Sequence, residues 1–423
     1  MITRARAFSC TFLKLIKRCH QADHDEEQGV SAVSETMPSA ARDQTMLRRA
    51  NELTVLAVLR DGNSRVMREI ADETGLSWRT ASVVVESLEA HGWLAGEADT
   101  QGKRLGRPAR RYRFRADVGH VAGIDIAAHA ISVFIADLAG TIVGRHQVSV
   151  SPADSATDRL ATAEAILGAA LTSARLDGTG VWAAAVGSTG IIGPDGVVSK
   201  SAVLPEWTGV DPGAHLAPLL HCPVSVVNDC NLAVLAERWH GHRADTMIYL
   251  LTGVRLGTGL VISGQLHRGS AGAAGEIGEI REYGWHDAAE RLAAAAPGPA
   301  SDLDRAAAQV FAAARDGDAK CLLAVERFSM DLAGGLTAMV LTIDPDLVVI
   351  GGGFAHAADL LLPRLREQLA ATCPHTPRLE SSELGDESVG LGAVRLALDT
   401  IDQQISALDS ATPLTPAAIS GAS

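Results

Sequence analysis

Two adjacent polar residues, Asn228 and Asp229, end a predicted β-strand immediately before a predicted helix. A carboxylate at such a strand end can accept a proton from a sugar hydroxyl, which is the task of a general base. The same carboxylate can bind two hydroxyls without any chemistry, or it can cap the helix that follows. The residue types and their position therefore leave three interpretations open: a base, a binding carboxylate or a helix cap.

A second carboxylate, Glu276, lies in the glycine-containing segment Ala274-Gly275-Glu276-Ile277-Gly278. Glycines allow the backbone to approach a ligand closely, because they carry no β-carbon. Glu276 is therefore a candidate for contacting a small molecule. The alternative is a loop carboxylate that is held only by backbone N–H groups.

A basic stretch contrasts with the rest of the chain, whose net charge is −13. Residues 101–115 contain no acidic residue, and their basic residues are Lys103, Arg104, Arg107, Arg110, Arg111, Arg113 and Arg115. Such charge binds the phosphates of nucleic acids, and the compact segment Gly106-Arg107-Pro108 suits an arginine that enters a narrow minor groove. Five of these residues are predicted to bind DNA: Lys103, Arg104, Arg107, Arg110 and Arg111. The alternative is a solvated basic loop on a helical interaction domain.

The stretch before it, residues 63–92, has the pattern of two short helices joined by a tight turn. Asn63 or Ser64 can cap the first helix, and Gly75 can end it in the left-handed conformation. The second helix runs to about Ala90. Its first two turns carry side chains that a core does not need and that a recognition helix would present to the major groove. These predicted DNA-binding residues are Ser77, Trp78, Arg79, Thr80 and Ser82.

An apolar stripe predicts a further helix from Leu47 to Leu59, which would complete a three-helix core. Trp93–Glu97 and Arg111–Arg115 can pair as a β-hairpin, forming a wing beside the helices. The sequence thus predicts a winged helix-turn-helix domain over residues 45–116, preceded by a poorly ordered extension over residues 1–44.

The remainder of the chain alternates between strands and helices in two similar halves. His120–Ile126 and Ala130–Asp137 begin a predicted β-meander, and Met247–Thr252 begins a second one. Helices and further strands follow each meander, so we expect a domain over residues 117–405 with two lobes, 117–240 and 241–405, and a cleft between them. The tail over residues 406–423 is rich in Ala, Ser, Thr and Pro and is predicted to be disordered.

Composition fits a globular protein of the cytoplasm. The 423 residues suit two to three domains, and 47% apolar residues supply a large core. The six cysteines have no paired spacing, which argues for a reducing compartment. No apolar run approaches the roughly 18–20 residues of a membrane span. We therefore expect a cytoplasmic protein without membrane contact.

From Leu47 to about Ile401 the chain resembles the ROK family, which groups transcriptional repressors, open reading frames and sugar kinases. The stretches that carry the resemblance are 74–77 (TGLS), 106–108 (GRP), 123–126 (GIDI), 204–209 (LPEWTG), 223–237 (PVSVVNDCNLAVLAE), 264–278 (GQLHRGSAGAAGEIG) and 348–353 (VVIGGG). The resemblance is specifically to the repressor branch. It implies an α/β protein in which a small winged helix-turn-helix domain precedes a two-lobed, actin-like sugar-kinase domain of the ribonuclease H type.

The resemblance also implies residue roles. Asp229 stands at the position of the general base of ROK kinases, and Glu276 at that of a glutamate that bonds sugar hydroxyls. Glu290 is at the place of a further sugar-contacting glutamate. We therefore expect Asn228, Asp229, Glu276 and Glu290 to bind a sugar effector.

Two departures from the family pattern argue against catalysis and against a metal. Family kinases read Asp-x-Gly-Gly-Thr where ATP phosphates bind, whereas this chain reads Asp125-Ile126-Ala127-Ala128-His129. Its β-carbons and imidazole would occupy that space. The family zinc site uses a histidine where this chain has Glu279, together with three cysteines, but residues 281–292 contain no cysteine. A closed thiolate site therefore cannot form.

These observations predict a DNA-binding transcriptional regulator, a repressor that responds to a sugar or sugar derivative. We expect operator DNA and a sugar effector as partners and a homodimer or homotetramer, with no catalytic residue, no cofactor and no bound metal. The main alternative is a ROK kinase that phosphorylates a hexose with ATP. A third possibility is a regulator whose second domain serves only as a dimerisation scaffold.

Overall fold

The computed structural model describes residues 39–98 and 110–420, with side chains from residue 44 onward. Within these ranges the chain forms a small N-terminal domain followed by two α/β lobes. The predicted poorly ordered extension falls largely on residues 1–38, which lie outside the described residues. Among the helices that are described, none is long and apolar enough to cross a membrane.

The N-terminal domain is a winged helix-turn-helix. Its elements are α1 (Ser39–Leu59), β1 (Arg65–Val66), α2 (Met67–Thr74), α3 (Trp78–Ala90), β2 (Leu94–Ala98) and β3 (Arg110–Phe114). The three helices bury Leu56, Ile70 and Leu88 in a common core. Gly75 ends α2 at a φ of 71°, and the Ser77 hydroxyl caps α3 by accepting the Thr80 N–H at 3.1 Å. Both features agree with the sequence prediction.

The start of α2 differs from the prediction. The helix begins at Met67 and is not capped by Asn63 or Ser64; instead, the Glu69 carboxylate accepts the Val66 N–H at 2.9 Å. The reason is tertiary, because Arg65 and Val66 form an extended strand that pairs with β3. The wing strands pair in the predicted register, with Leu94 opposite Phe114 and Glu97 opposite Arg111, and only their bounds differ by one residue.

The first lobe contains a five-stranded sheet in the order β10-β7-β4-β5-β6. Its strands are β4 (His120–Ile126), β5 (Ala130–Asp137), β6 (Ile142–Ser149), β7 (Val181–Ser188) and β10 (Val224–Asn228), with a small separate sheet of β8 (Ile191–Ile192) and β9 (Val198–Lys200). Helices α4 (Ala156–Ser173) and α5 (Pro212–Leu220) cover one face through Leu167 and Leu216. The other face is covered mainly by the helix Ser388–Ala407, on which helix α6 (Asp229–His240) packs.

The second lobe repeats the arrangement with a sheet in the order β13-β12-β11-β14-β15. Its strands are β11 (Met247–Leu251), β12 (Gly257–Ile262), β13 (Gln265–Leu266), β14 (Leu347–Gly351) and β15 (Arg378–Ser381). Its helices are α7 (Ala288–Ala293), α8 (Leu303–Arg315), α9 (Ala319–Ile343) and α10 (Ala358–Thr372). The predicted two-lobed architecture is therefore confirmed.

Helix α11 (Ser388–Ala407) returns from the second lobe to the first and packs on α6. The two helices approach closely because Gly392 carries no side chain: a β-carbon there would lie 1.9 Å from the Leu232 carbonyl oxygen. Through α11, the apolar core of the first lobe is continuous with that of the N-terminal domain.

The prediction of a disordered tail from residue 406 is wrong for residues 406–420. The chain continues past α11 to a short helix, α12 (Pro416–Ser420), and buries Leu414 and Ile419 against the N-terminal domain and the first lobe. The Trp93 indole N–H donates to the Leu414 carbonyl at 2.9 Å. Composition alone missed this segment because two buried side chains suffice to anchor it.

The N-terminal domain is joined to the lobes by polar and aromatic contacts as well. Arg60, the residue after α1, forms an ion pair with Asp402 in α11, and both side chains are largely buried. Trp93 stacks on Phe114 at 6.1 Å and meets Trp182 of β7 edge-on at 6.2 Å. This junction fixes the orientation of the winged helix on the first lobe.

Candidate functional site

A cleft of about 820 Å³ lies between the two lobes. Its walls are formed by the carboxyl ends of β4, β10, β11 and β14 and by the loops that follow them. Open α/β sheets bind ligands at this end, since the loops there diverge and leave room. The predicted effector-binding residues are therefore expected to line this cleft.

Asn228 and Asp229 both line the cleft, but their roles differ. Asn228 is the N-cap of α6: its side-chain oxygen accepts the Asn231 N–H at 3.2 Å, and its side-chain NH₂ donates to the Gly190 carbonyl at 3.0 Å. The capping role that the sequence left open for Asp229 thus belongs to its neighbour. Asp229 starts the helix, and burial raises the pKa of its carboxyl group.

Glu276 lines the cleft as predicted. It follows Gly275, which has a φ of 91° and whose carbonyl accepts the Thr258 hydroxyl at 2.6 Å. Burial, together with the negative charge of Asp229, raises the pKa of Glu276 to about 7. The structure thus brings Asp229 and Glu276 into one electrostatic neighbourhood.

The loop that carries Glu276 is fixed by contacts between protein groups. Glu279 forms an ion pair with Lys200 of β9 at 2.5 Å, which connects the two lobes. Trp285 is buried, and its indole N–H donates to the Asp331 carbonyl at 2.8 Å. Within the described residues no group of three or more His, Cys, Asp or Glu side chains is arranged to hold a metal ion.

Glu290 does not join the cleft. It is exposed on α7 and is not among the residues that line the cavity. Trp285 and His286 line the cleft instead. The assignment of Glu290 as an effector-binding residue therefore has no geometric support.

Asp125 is a cleft residue that the sequence analysis did not assign to the site. It lies on the central strand β4, its side chain is 8% exposed, and its Oδ1 atom has no hydrogen-bond partner in the described structure. Burial, followed by the charges of Asp229 and Asp386, raises the pKa of Asp125 well above its usual range. A lone carboxylate within the apolar run His120–Ile126 was the signal that could have identified it.

The turn after β4 carries the side chains of Ala127, Ala128 and His129, and all three residues line the cleft. The Ala127 N–H donates to the Ala130 carbonyl at 3.1 Å and is thus already used. Behind the turn, the buried Arg159 guanidinium donates to the carbonyls of Ala127 at 2.7 Å and Ser151 at 2.6 Å. Phosphoryl transfer needs donors aimed at the phosphates, whereas the Arg159 guanidinium points at carbonyl oxygens.

At the other end of the molecule, the start of α3 is exposed. The Trp78 side chain is 63% exposed, and Arg79 is exposed beside it. Ser77 and Thr80 form the helix cap, with their hydroxyl oxygens 2.9 Å apart, and the Ser82 hydroxyl donates to Glu86 at 3.1 Å. Trp78 and Arg79 are therefore the residues of this set that project furthest from the domain.

The predicted DNA-binding residues of the wing divide into two groups. Lys103, Arg104 and Arg107 lie outside the described residues. Arg110 forms an ion pair with Glu89 at 2.5 Å, and Arg111 donates to the Ser64 carbonyl at 2.6 Å. These two arginines thus hold the base of the wing against the helices, a role that the basic composition did not reveal.

Comparison with known proteins identifies the family of the chain. The model of the ROK family matches residues 121–290 and 291–400. The chain belongs to the ROK family. Among its relatives, the xylose repressor of Caldicellulosiruptor bescii is 22% identical over 386 residues, covering 84% of this chain and 96% of the repressor. A glucokinase of Halalkalibacterium halodurans is 27% identical over 284 residues, covering 59% of this chain and 84% of the kinase.

Among solved structures, a ROK family transcriptional regulator described as a homolog of the E. coli Mlc protein superposes with a TM-score of 0.64. It shares 16% sequence identity, and the match covers 86% of this chain and all of the other. At this identity the likeness concerns the fold, and it extends over more of the chain than the family model does.

Proposed function

We propose that this ROK protein is a DNA-binding transcriptional regulator, a repressor that responds to a sugar or sugar derivative. One observation carries the proposal: a winged helix-turn-helix packs on a ROK domain that keeps its cleft carboxylates but carries the side chains of Ala127, Ala128 and His129 in the turn after β4. Similarity to repressors over nearly their whole length supports it.

At the DNA end, Arg79 and Trp78 at the start of α3 would contact base edges in the major groove. A recognition helix presents its N-terminal residues in this way. The basic wing residues Lys103, Arg104 and Arg107 would contact phosphates and the minor groove, where arginine is favoured by the concentrated negative potential. Arg110 and Arg111 would support the wing, with Arg110 still exposed enough to reach a phosphate.

At the sensor end, Asp229 and Glu276 would accept hydroxyl groups of the effector across the cleft. A signal would reach the winged helix through α11, because Ser388 and Val389 at its start line the cleft while Asp402 near its end pairs with Arg60, which directly follows α1. Effector binding would thus change the contacts that orient the DNA-binding helices.

A ROK sugar kinase is the second candidate. It is favoured by Asp229, by Gly257-Thr258-Gly259 at the start of β12 and by Gly351-Gly352-Gly353 beside the cleft. The side chains of Ala127, Ala128 and His129 argue against a kinase, because they occupy the turn where a kinase must stabilise the charge on the transferred phosphoryl group. We therefore propose that the protein is not an enzyme.

We also propose a homodimer or homotetramer. Leu323, Met330 and Leu341 are exposed on one face of α9, at spacings of seven and eleven residues that align them along the helix. An exposed apolar stripe of this kind commonly forms an interface. Leu323→Glu should shift the protein towards monomer in analytical ultracentrifugation, whereas Leu47→Glu, an equally exposed change on α1, should not.

The test of the regulator proposal is selection of a duplex from random DNA, followed by affinity measurements over a salt series. Arg79→Ala should lower the preference for the selected duplex over scrambled DNA by about 1–3 kcal/mol, which is the contribution of a good bidentate base contact. Arg110→Ala should instead weaken binding to both duplexes alike and flatten the salt dependence, since a phosphate contact contributes a slope of roughly 0.9.

Arg364→Ala is the matched control, because Arg364 is an exposed arginine on α10 of the second lobe. It should leave both duplex affinities unchanged. Failure to select any duplex would overturn the DNA-binding assignment. An intact preference in Arg79→Ala would show that α3 does not read the bases.

A further inference from the structure

The cleft is lined by an excess of acidic groups. Its carboxylates are Asp125, Asp229, Glu276, Glu279, Asp304 and Asp386, whereas its cationic side chains, besides three histidines, are Lys200 and Arg255. Lys200 is already paired with Glu279 at 2.5 Å. Arg255 is exposed. The described lining of the cleft is therefore rich in carboxyl groups where an effector would lie, and a cationic ligand would favour their ionised forms.

The deepest of these carboxylates has an incomplete environment. Asp125 is more than nine-tenths buried, lines the cleft, and has one oxygen atom without a hydrogen-bond donor. A buried polar atom without a partner is unfavourable and normally has one in the functional state. Asp229 lines the same cleft, and its charge contributes to raising the pKa of Asp125, so a positively charged donor in this part of the cleft would stabilise the ionised forms of both groups.

The chemistry of the wall distinguishes among ligands. A phosphate would meet carboxylates and a turn whose first N–H is already bonded to the Ala130 carbonyl. A neutral sugar could donate hydroxyl groups, but it would leave the negative charges uncompensated. A protonated amine supplies three donors and a positive charge, and hydrogen bonds between charged partners are the strong ones.

We propose that the effector is an amino sugar with a free ammonium group, bound with that group between Asp125 and Asp229. This inference deepens the proposed function, on which it rests, by naming the chemical class of the effector. The remaining hydroxyls of the sugar face Glu276 on the opposite wall. In this proposal Asp125 has no catalytic role, and it determines the specificity of the cleft for an ammonium group.

The test is isothermal titration calorimetry on the full-length protein at pH 7 with four probes: glucosamine, glucose, N-acetylglucosamine and glucosamine 6-phosphate. Glucosamine should bind at least tenfold more tightly than the other three. Asp125→Asn keeps the shape and removes the charge, so it should reduce this advantage to less than twofold. Asp386→Asn, which removes a charge at a different point of the same cleft, should reduce it less.

A melting curve of Asp125→Asn tests whether the variant folds. Its melting temperature should not be lower than that of the parent, because the substitution removes an unpartnered buried carboxyl group. Equal or tighter binding of glucose, N-acetylglucosamine or the phosphate would overturn the amine proposal while leaving a sugar-responsive regulator intact. Absence of binding by all four probes would overturn it as well. If the protein binds glucosamine but shows no DNA selectivity, the regulator proposal is overturned and the amino-sugar site is not.

Discussion

The C-terminal segment is expected to hold the winged helix in place, and a single substitution tests this. Leu414 is 1% exposed, and its carbonyl accepts the Trp93 indole N–H at 2.9 Å. Leu414→Ala removes the apolar contact, and Trp93→Phe removes the hydrogen bond. Both should loosen the N-terminal domain without altering the sheets of the two lobes.

The magnitude follows from the burial. Leucine-to-alanine changes in protein cores destabilise by about 2–5 kcal/mol, and the value falls where the surroundings can close the cavity. Leu414 lies in a short segment at a domain junction, so we expect ~2–3 kcal/mol. Trp93→Phe leaves the Leu414 carbonyl without its donor, which adds about 1–3 kcal/mol to the effect of the smaller ring.

Native-state hydrogen exchange measures the effect locally. Amides of α1, α2 and α3 should exchange roughly 30- to 150-fold faster in Leu414→Ala, which corresponds to the expected free energy. Leu414→Met conserves volume and should change exchange little. Leu47→Ala makes the same chemical change as Leu414→Ala at a site that is 59% exposed, and it should also have little effect.

The reasoning is refuted if exchange in α1–α3 is unchanged in Leu414→Ala. It is equally refuted if β4 and β11 lose as much protection as the winged helix does. In the first case the tail contacts would contribute no stability. In the second, the N-terminal domain and the lobes would unfold together rather than as separable units.

Three further outcomes are expected. ATP with any hexose should give no sustained ADP release; sustained release with one sugar that Asp229→Asn abolishes would contradict the regulator. Chelation should leave the melting temperature unchanged. One zinc per chain by elemental analysis would contradict the prediction that the loop carrying Glu279 holds no metal. Burial raises the pKa of Glu276 to about 7, so the folded state holds that proton longer than the unfolded state and stability falls as pH rises towards 7. The melting temperature of Glu276→Gln relative to the parent should therefore increase between pH 5 and 8, and a constant difference would contradict the shift.

Much of the local structure was predictable because it depends on short-range patterns. The alternating and apolar runs of β4 and β5 coincide with the predicted bounds. Gly75 and Ser77 end and start their helices as expected, since a left-handed residue and a capping hydroxyl act within one turn. Asp229 and Glu276 were found through the family resemblance.

The sequence by itself thus determined the element order, the helix-turn-helix pattern, the two repeated lobes and the resemblance to the ROK family. Tertiary structure alone decided the rest, because it brings together residues far apart in the chain. It placed Glu290 outside the cleft and Asp125 inside it, joined Trp93 to Leu414 across more than three hundred residues, and turned Arg110 and Arg111 towards the helices. Burial and charge at such points come from packing, which no local pattern specifies.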